Sequence, residues 1–120
     1  MADARRAVGE AGEAAVARWY EAAGGVVIDR NWRVREGELD LVVRCADVLI
    51  VCEVKTRRSD RFGAPVEAVT IAKQQRLRRL ARLWLAAHPG GGAGTIRFDV
   101  ASVAPDGRGG WRVDVLDAAF

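Results

Sequence analysis

The sequence predicts an α/β domain: a mixed β-sheet flanked by α-helices, in the order α-β-β-β-α-β-β. Three observations lead there. Two long segments repeat their apolar residues at helical spacing. Five shorter segments are rich in Val, Ile, Leu and Trp and read as strands. The order of the two kinds suits helices packed on one sheet, and no repeat or linker divides the 120 residues, so residues 1–120 form a single domain.

The elements follow in order. Residues 3–23 read as a helix whose stripe joins Val8, Ala15 and Trp19 with Gly12, and Gly24-Gly25 makes its stop. Residues 26–32 read as a strand. Residues 38–44 and 48–55 are the next two strands, joined around Ala46-Asp47, a hairpin by spacing. Residues 56–69 are a loop broken by Gly63 and Pro65. Thr70 is a good N-cap for a helix to about Ala87, before Pro89 and a Gly-rich loop. Residues 95–103 and 111–116 alternate as two strands around a turn at Pro105-Asp106-Gly107.

Half the residues are hydrophobic and 29% are charged, an ordinary globular balance that argues against disorder. No apolar run approaches the ~20 residues of a membrane span. The N-terminus enters a charged helical pattern directly, without a signal-peptide core. A cytoplasmic protein with no membrane partner is the expectation. Cys45 and Cys52 lack metal-ligand spacing and read as reduced thiols. The net charge of +3 weakly favours a polyanionic partner. Of the 19 cations, only Lys55 and Lys73 are lysine. Coding bias accounts for the arginines; the two lysines mark positions where a compact charge suits better than a planar fork.

The stretch "GELDLVVRCADVLIVCEVK" at 37–55 sets Asp40, Glu53 and Lys55 inside apolar strands. Residues two apart in a strand share a face, so Glu53 and Lys55 lie together. Either a two-residue or a four-residue connection around Ala46-Asp47 sets Asp40 opposite Glu53, about 5 Å away. Carboxylates that close repel unless a cation lies between them. Asp40, Glu53 and the Val54 carbonyl make an oxygen set for Mg²⁺ or Mn²⁺. Lys55 beside it suits orientation of a water or neutralisation of a phosphate, the equipment of phosphodiester hydrolysis. The blander alternative is a solvated strand face with an i, i+2 ion pair.

Lys73 falls on the core stripe of the second helix with Leu77, Leu80, Ala81 and Trp84. It either snorkels at the rim or reaches a phosphate or a site carboxylate. Arg78, Arg79 and Arg82 form a solvated face turned away from the site. Arg57, Arg58 and Arg61, directly after the Glu53–Lys55 strand, are better placed for a nucleic-acid backbone. Glu13 borders the first helix's stripe beside Gly9, Val16 and Tyr20 and reads as a surface residue. His88 reads as a helix-end cap rather than a catalyst.

Gly12-Glu13, "NWR" at 31–33, "GELDL" at 37–41, "EVKTR" at 53–57, "AVTIAKQQRLRRLA" at 68–81, "RFDV" at 97–100 and the final "DAAF" together resemble the YraN-like family. These are small bacterial proteins related to endonucleases. That family is placed by similarity in the PD-(D/E)xK, restriction-endonuclease-like superfamily, near archaeal Holliday-junction resolvases. The resemblance implies a mixed sheet between helices and a Mg²⁺ or Mn²⁺ site. Asp40 would be the first motif's acid, and Glu53 and Lys55 the second motif. Glu13 would be the acid often supplied by the first helix, and Lys73 the lysine opening the next one. The Glu-Leu-Asp here lacks the superfamily's Pro-Asp, which alters only the turn. The expectation is a divalent-metal-dependent nuclease or resolvase acting on DNA. A resolvase needs two sites, hence a homodimer. The alternatives are an inactive nucleic-acid-binding module and a protein-interaction subunit of a DNA-processing assembly.

Overall fold

The computed structural model describes residues 2–57, 69–91 and 94–120, with side chains from residue 6 onward. Seven elements follow one another: α1 (Ala2–Ala22), β1 (Val26–Val34), β2 (Gly37–Cys45), β3 (Val48–Thr56), α2 (Ile71–Ala87), β4 (Thr95–Pro105) and β5 (Trp111–Leu116). The order is the one expected, with most ends within two residues. The strands form one sheet in the order β1-β2-β3-β4-β5. Neighbours run antiparallel except β3 and β4, which are parallel. That parallel pair requires a crossover, and α2 supplies it.

Alternation along the central strands splits the core in two. Leu41, Val43, Ile50, Cys52, Ala101 and Val103 pack with Ala15, Val16, Ala17 and Tyr20 of α1. Leu49, Val51 and Phe98 pack on the other face with Leu77, Leu80, Ala81 and Trp84 of α2. β2 and β3 are therefore covered on both sides, which explains their near-continuous apolar runs.

The stripe of α1 is rotated from the one expected. Tyr20 is buried and Trp19 is 41% exposed. The phenol decides this. Tyr20 Oη donates to Asp99 Oδ2 at 2.6 Å, a bond open only from the inner face. Gly12 lies at the closest approach of α1 to β3: a Cβ there would fall 2.1 Å from Thr56 Oγ1 and 3.0 Å from Thr56 Cβ. No rotation of Thr56 relieves all of this, so a side chain at 12 would push α1 off the sheet. The helix stops where expected. Gly24 takes φ 92°, and the amides of Gly25 and Gly24 donate to Tyr20 O at 2.8 Å and Glu21 O at 3.0 Å, a Schellman pair.

Thr70 caps α2 by accepting the Lys73 amide at 3.2 Å. His88 is the C-cap residue, its ring stacked 4.1 Å from that of Trp84. The Trp84 indole donates to Asp29 Oδ2 at 2.7 Å, tying α2 to β1. The C-terminal residues fold back onto the sheet: the Ala119 amide donates to Phe98 O at 2.7 Å, and Phe120 stacks on Phe98 at 5.1 Å. Arg78, expected to be merely solvated, lies over both rings, 5.0 and 5.4 Å from their centroids.

Candidate active site

The β2–β3 ladder runs from Cys45–Val48 to Leu41–Cys52. Its connection is therefore the two residues Ala46-Asp47, with Ala46 in the left-handed region at φ 54°. The register brings Asp40 next in line to Glu53, but backbone pairing ends one step earlier. There the Asp40 carboxylate takes over as acceptor, receiving the Val54 amide at 2.8 Å. A strand residue's N–H and C=O point to the same side. The Val54 carbonyl therefore faces the edge where Asp40 stands.

Glu53 and Lys55 alternate with the buried Val51 and so share the α2 face. Lys73, in the first turn of α2, sets its Nζ 3.1 Å from Glu53 Oε1. Lys55 Nζ lies 3.5 Å from the same oxygen. Glu53 thus holds two ammonium groups. Burial, and then the adjoining Lys73, keep the Lys55 ammonium below the usual lysine range.

Asp40 has the opposite surroundings. Burial, then the charge of Glu53, push its carboxyl up to about 7, while the Val54 amide pulls the other way and Glu13 and Glu38 add to the repulsion. No lysine or arginine among the described residues pairs with it. Glu38, Asp40, Glu53, Lys73 and Arg76 border a cleft of about 280 Å³. Among the described residues no three His, Cys, Asp or Glu side chains group closely enough to hold a metal by themselves. The oxygen set available is two carboxylates and a strand carbonyl.

Glu13 is not in this cleft. It sits on α1, in an adjoining cleft with Arg6, Glu10, Asn31, Arg33 and Glu38, from which its charge still acts on Asp40. Burial raises its pKa, partly offset by a hydrogen bond with the Asn31 side chain. Glu38, ion-paired to Arg33 at 3.4 Å, borders both clefts. Sequence reasoning passed over Glu38 and Arg76 as site residues. Glu38 stands two positions before Asp40, which was the available signal. Arg57 donates its amide to Val103 O at 2.7 Å, and its Nε is buried with no hydrogen-bond partner among the described residues. Arg58 and Arg61 lie outside the described residues.

Residues 12–103 match the model of the uncharacterised protein family UPF0102. A UPF0102 protein of Kineococcus radiotolerans is 53% identical over 88% of this chain and 87% of its own. One of Frankia casuarinae is 48% identical over 98% of both chains. One of Symbiobacterium thermophilum is 50% identical over 96% of this chain and 97% of its own.

Proposed function

The chain belongs to the uncharacterised protein family UPF0102, and we propose that it is a divalent-metal-dependent nuclease or resolvase that hydrolyses phosphodiesters of structured DNA. In this reading the mixed sheet is a restriction-endonuclease-like core, with Asp40, Glu53 and Lys55 as its acid, acid and lysine. The observation that carries the reading is Asp40. It stands next in register to a second acid, accepts the Val54 amide and is pushed up to about 7 by burial and that neighbouring charge, the setting in which a cation between the two carboxylates is favourable.

The residues fit the ion. Asp40, Glu53 and the Val54 carbonyl are oxygen donors, and Mg²⁺ takes one or two carboxylates and keeps waters and substrate oxygens for its other positions. Bound there, Mg²⁺ or Mn²⁺ supplies Lewis-acid charge for the phosphate and a more acidic water. The protein's own groups do the rest. Lys55, held on Glu53, orients the attacking water or offsets charge growing on the phosphate. Lys73, on the same Glu53 oxygen as Lys55, is a second ammonium within reach of a phosphate oxygen at this edge. Arg57, directly after the Glu53–Lys55 strand, is a cation of the kind that contacts a backbone phosphate. A resolvase form of this activity calls for a homodimer, one site per strand cut.

The test is cleavage of branched, single-stranded and duplex DNA with Mn²⁺ or with EDTA, by wild type, Asp40→Asn, Lys55→Ala and Lys55→Arg. Wild type cuts only with metal and Asp40→Asn is inactive. Lys55→Ala loses roughly 10²–10³ in rate, by analogy with loss of one oxyanion donor. Lys55→Arg recovers only part of it, because the fork differs in shape. Equal cleavage by wild type and Asp40→Asn would overturn the assignment.

A further inference from the structure

We propose that the cleft between α1 and the β4–β5 turn stacks an unpaired base of the nucleic acid cut at the Asp40–Glu53 site. This rests on the nuclease reading and narrows its substrate to nucleic acid with a single-stranded segment beside the scissile bond. The cleft, about 540 Å³, is bordered by Arg18, Trp19, Gly109, Gly110, Trp111 and Val113.

Three observations support this occupant. The first is the pair of aromatic rings. Trp19 is 41% exposed, although it stands beside the buried stripe of α1. Its indole is braced edge-on against Tyr20, at 5.1 Å and 89°. Trp111 is half-buried on the α1 side of β5. Flat rings facing a cleft are what base stacking uses, and stacking tolerates any base. The opposite wall is built to stay open. Asp106 Oδ1 accepts the Arg108 and Gly110 amides at 2.7 and 3.0 Å, and Gly109 and Gly110 put no side chain over the rings.

The second is charge. Among the described residues Arg18 is the one charged side chain lining the cleft, the Asp106 carboxylate lying behind Gly110 and bonded to its amide. The cleft of Asp40 and the one adjoining it instead mix the two signs, with Glu13, Asp40 and Glu53 beside Arg33, Lys73 and Arg76. A planar ring carrying a phosphate complements Trp19, Trp111 and Arg18.

The third is register. Thr56 pairs with Val103 and Val103 with Val113, while Pro105 pairs with Trp111. The cleft therefore lies at the sheet end where Lys55 stands, two strands across and three residues further along at Trp111, about 14 Å at the usual spacings. It opens on the α1 face, whereas Glu53 and Lys55 are on the α2 face. A strand passing over this end of the sheet meets both.

The experiment measures binding of a fluorescein-labelled oligothymidylate, and of a blunt duplex of equal length, in EDTA. The proteins are wild type, Trp19→Leu, Trp111→Leu, Trp19→Phe and Trp111→Phe, with folding checked by circular dichroism. Wild type prefers the single strand. Each Leu variant loses roughly 5- to 150-fold in single-strand affinity, keeps its duplex affinity, and is largely rescued by Phe. Should a Leu variant not fold, its Phe partner and the remaining position carry the test. Unchanged single-strand affinity in the folded Leu variants overturns the inference, as does equal loss on duplex and single strand. Because no metal is present, the two claims separate. Selective binding through the tryptophans without Mn²⁺-dependent cleavage sinks the nuclease reading and keeps the cleft. Cleavage with indifferent tryptophans does the reverse. No binding of either DNA overturns both.

Discussion

Asp99 on β4 and Asp40 on β2 are carboxylates on the two strands that flank β3, and the protein treats them in opposite ways. Asp99 is 1% exposed and fully partnered. Arg97 grips it with two bonds of 2.8 Å, the Tyr20 hydroxyl donates at 2.6 Å, and the Ala118 amide donates at 3.0 Å. Asp40 receives one amide and faces the charges of Glu53, Glu13 and Glu38. A carboxylate that serves the fold has its charge answered by the fold. One left with its charge unanswered costs stability, and such costs gather at functional sites.

Removing Asp99 breaks the comparison most severely. Asp99→Ala leaves Arg97 and Tyr20 unpaired around a buried gap and costs about 3–5 kcal/mol in urea unfolding. A loss under about 1 kcal/mol would mean that the network holds nothing together. Asp40 responds with the opposite sign. Its folded pKa is raised to about 7, so in EDTA the wild type loses stability as pH rises from about 4, where the unfolded carboxyl ionises, to about 7, where the folded one does. Asp40→Asn keeps an acceptor for the Val54 amide and removes the charge. It is more stable than wild type by on the order of 2 kcal/mol at pH 8, and the gain vanishes near pH 4. Unfolding of both proteins at pH 4, 6 and 8 checks this.

Metal sharpens the contrast further. Mn²⁺ at ten times its Kd stabilises wild type by about 1.4 kcal/mol in thermal unfolding. Asp40→Asn gains markedly less at the same concentration. The smallest effect is a control far from both aspartates. Ala46→Gly relieves a left-handed alanine but frees the unfolded chain, so stability changes by less than about 1 kcal/mol. Its change is the same at every pH, which separates backbone strain from carboxylate charge.

Much of the Asp40 side could be read in the sequence. A short hairpin fixes its own register, so Asp40 and Glu53 could be aligned from a two-residue connection. The helical period put Lys73 on the stripe facing the sheet, where its ammonium meets Glu53. The Asp99 side could not be read this way. Tyr20 and Asp99 are 79 residues apart, and no local period links them. The same holds for Trp84 with Asp29 and for Phe120 with Phe98. Helical spacing puts Trp19 on the stripe of α1 with Val8, Gly12 and Ala15, whereas burial follows the residue whose polar tip finds a partner, which is Tyr20. Glu13 follows from the resemblance alone; it lines the cleft beside that of Asp40, near enough for its charge to act on the Asp40 carboxyl.

The most direct measurement is calorimetric titration of Mn²⁺ into the metal-free protein at pH 7.5, comparing wild type with Asp40→Asn and with Glu13→Gln. The account predicts a single class of site in wild type, at least tenfold weaker in Asp40→Asn, which has lost an anionic ligand. Glu13→Gln, altered in the adjoining cleft, stays within about threefold of wild type, a difference of under 1 kcal/mol. Mn²⁺ binding that is indifferent to Asp40, or that follows Glu13 instead, would contradict it.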